Sequence, residues 1–270
     1  MPRFKLTLEY AGTRYSGWQV QKNARTVQGE LDRAVRDATG AREFELYGAG
    51  RTDAGVHALA QVAHLDLRTD LPAATLLRRM NDALPADINV LRIDPVRHRF
   101  HARHDAVARA YLYQIARRRT AFGKAFVWWV REPIDVEAVR RAARRFEGLR
   151  DFASFTDDDP GERSTTVMIV RVRVDEVGDL LLVRVEGSHF LWKMVRRMVG
   201  VLVAIGRGEL DAGDVDRFLR EPSGIPARLT APASGLFLER VTYPDDPPVP
   251  DGPPLLTLPS FAGKGTSTRT

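Results

Sequence analysis

The chain contains no cysteine. That absence removes disulfides, thiolate metal sites, iron–sulfur clusters and cysteine nucleophiles together, and it fits a reducing compartment. Lysine is scarce as well: it stands only at positions 5, 22, 124, 193 and 264, so 36 of the 41 basic residues are arginine. No run of about 18 apolar residues occurs, which excludes a membrane-spanning helix. The N-terminus enters an alternating segment, Phe4 to Tyr10, in place of an apolar signal core. A cytoplasmic protein without a membrane partner is the expectation, and its chemistry must come from carboxylates, His, Tyr, Ser or Lys.

What is present is a basic chain of 270 residues with formal charge +6 and pI ≈ 9.9, 44% of it hydrophobic. That is enough to bury one large core or two smaller ones. The excess of arginine points to an anionic partner, because a planar guanidinium both grips phosphate and stacks on bases.

Periodicity divides the chain into two α+β halves, residues 1–105 and 106–243, followed by a Pro-rich tail, 244–270. In the first half, Thr26 reads as a helix cap, with apolar residues at helical spacing from Val27 to a stop at Gly40. Strands are expected at Phe4–Tyr10, Glu43–Tyr47, Ala58–Leu67 and Ile88–Ile93, with a second helix at Ala73–Leu84. In the second half, strands are expected near Val107–Ala116, Met168–Val174, Leu180–Val185 and Leu236–Tyr243. Helices are expected at Val136–Phe146, His189–Ile205 (the longest) and Ala212–Leu219. The tail holds 7 of the 16 prolines. It is expected to be mobile and dispensable for activity, although Leu255, Leu256, Leu258 and Phe261 form a short apolar cluster able to dock on the body or on a second copy.

The segment richest in chemistry is Gly48 to His57, where three glycines surround Arg51, Thr52 and Asp53. It is neither a dinucleotide fingerprint nor a P-loop: the required Gly and Gly-Lys-Ser/Thr are missing, and the loop leads into a strand, not a helix. Local chemistry alone leaves open a plain Gly-rich turn with a capping Asp. His98, His101 and His104 recur every three residues, but no Cys or Glu joins them, so no metal site is expected. From Arg97 to Arg119, basic residues interleave with Phe100, Tyr111 and Tyr113, a pattern suited to RNA.

Gly50-Arg51-Thr52-Asp53-Ala54-Gly55-Val56-His57-Ala58 closely resembles the active-site motif of the TruA-type tRNA pseudouridine synthases. Gly17-Trp18-Gln19, Phe100-His101-Ala102-Arg103, Arg109-Ala110-Tyr111-Leu112-Tyr113, Asp151-Phe152-Ala153-Ser154-Phe155, Met194-Val195-Arg196 and Gly235-Leu236-Phe237-Leu238 match the same family in order, from about Arg3 to Tyr243. The resemblance implies two related α/β-sandwich halves whose mostly antiparallel sheets join across a central RNA-binding cleft. It implies isomerisation of uridine in the tRNA anticodon stem-loop, at tRNA positions 38–40, by a homodimer without cofactor. By the same resemblance Asp53 is the essential carboxylate, Tyr111 packs on the target uracil, and Arg196 pairs with Asp53 to keep it ionised. Arg51 contacts the RNA or fills the place of the flipped base, Leu236 walls the pocket, and Arg103 and His101 face the RNA. Ala11 and the Thr165-Thr166 pair depart from the common family pattern. A non-catalytic protein that binds structured RNA is the alternative; it leaves an Asp beside Arg51 in a Gly-rich loop unexplained.

Overall fold

The computed structural model describes residues 1–159, 161, 164–247, 252–254 and 258. In chain order it runs β1 (Arg3–Tyr10), α1 (Val27–Thr39), β2 (Glu45–Gly48), β3 (His57–Asp66), α2 (Ala73–Ala83) and β4 (Ile88–Val96). Then follow β5 (Ala108–Ala116), β6 (Trp128–Trp129), α3 (Val136–Ala143), β7 (Gly148–Asp151), β8 (Thr166–Val177), β9 (Leu180–Gly187), α4 (Met194–Gly206), α5 (Ala212–Arg220), α6 (Ile225–Arg228) and β10 (Leu236–Thr242). Local signals set several of these. In β1 the apolar residues Phe4, Leu6, Leu8 and Tyr10 alternate inward. The hydroxyl of Thr26 accepts the Gly29 N–H at 3.2 Å to start α1, and Gly40, at φ 72°, ends it in a left-handed turn.

All ten strands form one sheet in the order β4–β1–β3–β10–β5–β9–β8–β7, with β2 also on β3 and β6 on β5. Most pairings are antiparallel; β3–β10 and β5–β6 are parallel. The fold is α+β, as expected. Pro95 sits in β4, the outer strand, the position in a sheet where proline is tolerated. β1 occupies one edge of β3 along nearly its whole length, so β2 and β10 share the other edge. β2 takes the stretch near Ala63–Asp66, and β10 takes His57 and Ala58. The loop from β2 to β3 therefore emerges at the seam between the two halves of the sheet.

The main cores lie on the face of the sheet that carries the helices. One packs β1, β3 and β4 under α1 and α2; the other packs β5, β8 and β9 under α3, α4 and α5. β10 serves both: Leu236 belongs to the second core, whereas Leu238 and Val241 belong to the first. β10 thus links the two cores. On the opposite face, Leu112, Leu180, Leu182 and Phe237 form a smaller cluster.

The expected helix His189–Ile205 is corrected at its start. Helix α4 begins at Met194, and Lys193 before it adopts a left-handed backbone at φ 60°. The apolar residues Phe190, Leu191 and Trp192 imitate a helical stripe, but the chain reaches the helix through a turn at Trp192 and Lys193, closed by the Met194 N–H on the Leu191 carbonyl at 3.2 Å. α4 itself is buried nearly all round, as a helix apolar on every face must be. At Gly200 a Cβ would lie 1.7 Å from the Leu229 carbonyl oxygen, so only glycine permits this close approach.

Most of the tail lies outside the described residues. Of it, Leu258 is buried in the small cluster, and its carbonyl accepts the Asp179 N–H at 2.8 Å. The buried guanidinium of Arg184 bonds Glu239 at 3.1 Å and also the Gly252 carbonyl. A chain ending at Pro247 is expected to lose about 2–3 kcal/mol of stability, from one buried leucine and one charged hydrogen bond. Its turnover at temperatures well below melting should persist, because these contacts lie on the face away from Tyr111 and Leu236. An unchanged melting curve would show that the tail adds nothing.

Candidate active site

Asp53 sits near the end of the loop that leaves β2 and re-enters the sheet at β3. The Asp53 carbonyl accepts the Val56 N–H at 3.1 Å, closing a turn through Gly55, whose φ is 79°. The loop after β1 braces this turn from outside. Trp18 N–H donates to the Thr52 carbonyl at 3.0 Å, and the Tyr10 and Thr52 hydroxyls are bonded at 2.8 Å. Gly17 lies so close that a Cβ there would approach the Thr52 carbonyl to 2.7 Å. The Gly17-Trp18 pair is therefore a prop for the Asp53 turn. His57 completes the brace: Nδ1 accepts the Gly12 N–H at 3.0 Å, so Nε2 carries the proton and faces the Ala125 carbonyl at 3.1 Å. Burial pushes the pKa of this imidazole down to about 4, and it stays neutral.

Above the seam lies a cleft of about 850 Å³, within the range of small-ligand sites (roughly 300–1,000 Å³). Asp53, Arg51, Arg103, Tyr111, Arg196 and Leu236 all line it. Arg196 projects from the first turn of α4 and is held by its Nε–H bond to the Ala231 carbonyl at 2.7 Å. Its Nη1 lies 3.8 Å from Asp53 Oδ2, with both side chains partly exposed, so this is a loose pair. Burial raises the Asp53 carboxyl above the ordinary aspartate range. Arg196, Lys193 and the Trp192 indole N–H favour the charged form, and Asp157 opposes it. Desolvation thus sets the net direction of this shift, and Arg196 limits it.

Tyr111 and Tyr113 lie on one face of β5 but meet different surroundings. Tyr111 lines the cleft with its ring edge-on to Phe190 at 4.9 Å. Tyr113 is fully buried, and its hydroxyl donates to the Pro232 carbonyl at 2.7 Å. Burial, with smaller contributions from Tyr10 and Asp53, pushes the Tyr111 phenol well above its usual range, so it keeps its proton near neutral pH. His101 does not line the cleft with the others. It packs against His64 and His104 at 4.7 and 4.2 Å and accepts the N–H groups of Arg103 and His104 through Nδ1. Among the described residues no group of three His, Cys, Asp or Glu side chains could hold a metal ion.

Two contributors escape a reading of the sequence. Arg109, partly buried at the cleft, donates to four carbonyls: Ala106 (3.1 Å), Ser188 (2.9 Å), Ala49 (3.3 Å) and Arg103 (2.8 Å). It ties the start of the Asp53 loop to the approach to α4. The position of Arg109 two residues before Tyr111, on the same side of the strand, was the available signal. The second is the Trp192-Lys193 pair on the cleft wall, hidden by the helical spacing of its neighbours.

A family model described as tRNA pseudouridine synthase matches residues 7–105 and 142–244. The chain is 40% identical over 246 residues to "tRNA pseudouridine synthase A" of Paramagnetospirillum magneticum, covering 90% of this chain and 96% of that one. It is 36% identical over 245 residues to the protein of the same name in Thermoanaerobacter sp., covering 90% of this chain and all of the other. A solved structure titled "Structure of H/ACA RNP bound to a substrate RNA containing 2'-deoxyuridine" aligns at TM-score 0.36 and 11% identity. It covers 72% of this chain and 45% of that one, a likeness too distant to bear on the fold.

Proposed function

Because the chain belongs to the tRNA pseudouridine synthase family, we propose that it isomerises uridine in the anticodon stem-loop of tRNA, with Asp53 as the essential carboxylate. The reaction breaks the N1–C1′ bond, turns the base and joins C5 to C1′, while the C5 proton leaves and N1 gains one. Atoms and electrons balance within the nucleotide. The observation that carries the reading is the meeting of Asp53, Arg196 and Tyr111 above the sheet seam, with Arg51 and Arg103 on the same cleft. A carboxylate there is placed to attack the base or sugar, or to stabilise charge as the glycosidic bond opens. A base inside a stem must first be extracted, and Arg51, exposed and tethered to Gln19 at 3.2 Å, stands where it would meet the RNA. Incubation with unmodified tRNA transcripts, followed by chemical mapping of pseudouridine, tests activity and site together.

Tyr111 is proposed to pack on the target uracil. Its protonated phenol favours a donor role toward the base over acceptance of the C5 proton. Tyr111→Phe is expected to bind tRNA nearly as well as the wild type and to turn over roughly tenfold or more slowly. Tyr113→Phe should instead lose about 1 kcal/mol of stability with its bond to Pro232 and keep its turnover. The reverse ranking would assign the role to the wrong tyrosine.

The proposed assembly is a homodimer. At the outer end of the sheet, Leu149 and its cross-strand neighbour Met168 are 62% and 40% exposed, and Val170 is 57% exposed. Such an apolar strip on β7 and β8 suits a second copy. Mass in solution tests it. Among the described residues no helix is long and apolar enough to cross a membrane, and a cytoplasmic setting, alongside the tRNA pool, is the one proposed.

A further inference from the structure

Trp192 is 49% exposed on the wall of the cleft, whereas Trp18, only a loop away from the same site, is 1% exposed. A half-exposed indole beside a catalytic carboxylate calls for a reason, because burying the ring elsewhere would be more favourable. The surrounding contacts hold it in place. Its backbone N–H donates to Asp158 Oδ2 at 3.0 Å, and that carboxylate also accepts the Thr156 hydroxyl at 3.1 Å. Lys193 Nζ lies 4.4 Å from the indole ring centre and is held there by Asp157 Oδ2 at 2.7 Å. Asp157 is itself bonded by the buried guanidinium of Arg197, which also donates to the Thr156 carbonyl at 2.6 Å. Lys193 accepts a left-handed backbone, a conformation that costs a non-glycine residue energy, to make this arrangement. The buried Arg197, the two aspartates and the strained lysine together fix one flat aromatic surface at the cleft.

We propose that Trp192 is a base-stacking platform, taking the face of a nucleobase in the unpaired part of the tRNA loop beside the target uridine. The inference rests on the cleft being the tRNA site. Bases of single-stranded loops are free to leave their own stack, and an aromatic face receives any of them without reading sequence. Such a contact would hold the displaced strand while Asp53 works on the extracted nucleotide. Lys193 is already held by Asp157 and serves to fix the ring. Arg197 acts through Asp157 and is a positioning residue.

The test uses full-length protein, an unmodified tRNA transcript, and the variants Trp192→Phe and Trp192→Leu. Both lose the indole N–H, so their difference reports the aromatic face alone. Tryptophan emission of the wild type should be quenched on saturation with tRNA, and most of that quenching should vanish in Trp192→Phe. Binding by Trp192→Phe should stay within about threefold of wild type, while Trp192→Leu should bind roughly tenfold or more weakly. The loss should fall on KM more than on the single-turnover rate. Equal binding by the leucine and phenylalanine variants, or full quenching in Trp192→Phe, overturns the stacking role while the function stands. Absence of pseudouridine formation by the wild type overturns both.

Discussion

Asp53→Asn is expected to lower pseudouridine formation by at least ~1,000-fold while leaving tRNA binding close to wild type, since the amide keeps the shape and loses the charge. The substitution should not destabilise the protein. Burial raises the Asp53 pKa in the folded state, so the folded protein holds this proton more tightly than the unfolded chain. The group's contribution to stability is therefore fully present below the unfolded pKa and is lost as pH rises through the folded value. At neutral pH the ionised carboxylate is a net cost to the fold, and a neutral amide removes it. Asp53→Asn should melt at or above the wild-type temperature at pH 7, with the two curves converging on acidification. The proposed mechanism needs the ionised carboxylate, so the acid limb of the wild-type rate profile should lie above the ordinary aspartate range. Wild-type turnover by the variant would sink the assignment, and a lower melting point would show that Asp53 supports the loop.

Arg196→Met is the second large effect expected, roughly ten- to a hundredfold on turnover at neutral pH. Removal of the cation takes away the strongest interaction favouring the Asp53 carboxylate and leaves desolvation and Asp157 in command. The Asp53 pKa should rise further and the acid limb move to higher pH, so part of the loss should be recovered under alkaline conditions. Arg196→Lys should restore some of the shift; its single ammonium cannot also reproduce the Nε–H bond to Ala231 with guanidinium geometry. A rate profile that falls uniformly, with its acid limb where the wild type has it, would mean that Arg196 acts only by holding Ala231 and the chain leading to β10.

The parts legible in the sequence are those written locally. Thr26 and Gly40 bracket α1 because a cap and a left-handed stop act within one turn. The Asp53 loop stood out through its glycines, and the structure explains why glycine also recurs at positions 12 and 17, where neighbouring backbone leaves no room for a Cβ. What escaped depends on distant chain. The approach to α4 reads as helix until Asp158, 34 residues upstream, takes the Trp192 N–H. Arg109 is one of 36 arginines, and its place two residues before Tyr111 puts it on the right side of the strand without revealing that carbonyls from Ala49 and Ser188 converge on it. The direction of the Asp53 pKa depends on how much water two halves of a sheet exclude, which no motif encodes.

β10 lies between β3 and β5 yet follows every other strand among the described residues. A ribosome delivers it after all of them. Until residues 236–242 emerge, β3 and β5 each wait with part of a backbone edge unpaired, and neither main core has its complement from Leu236, Leu238 and Val241. Unpaired edges and uncovered apolar surface of this kind are open to pairing with foreign strands, which exposes the nascent chain to misassembly. It also means that a polypeptide stalled or cleaved before Leu236 contains Asp53, Tyr111 and Arg196 but lacks the strand that joins β3 to β5 beneath them.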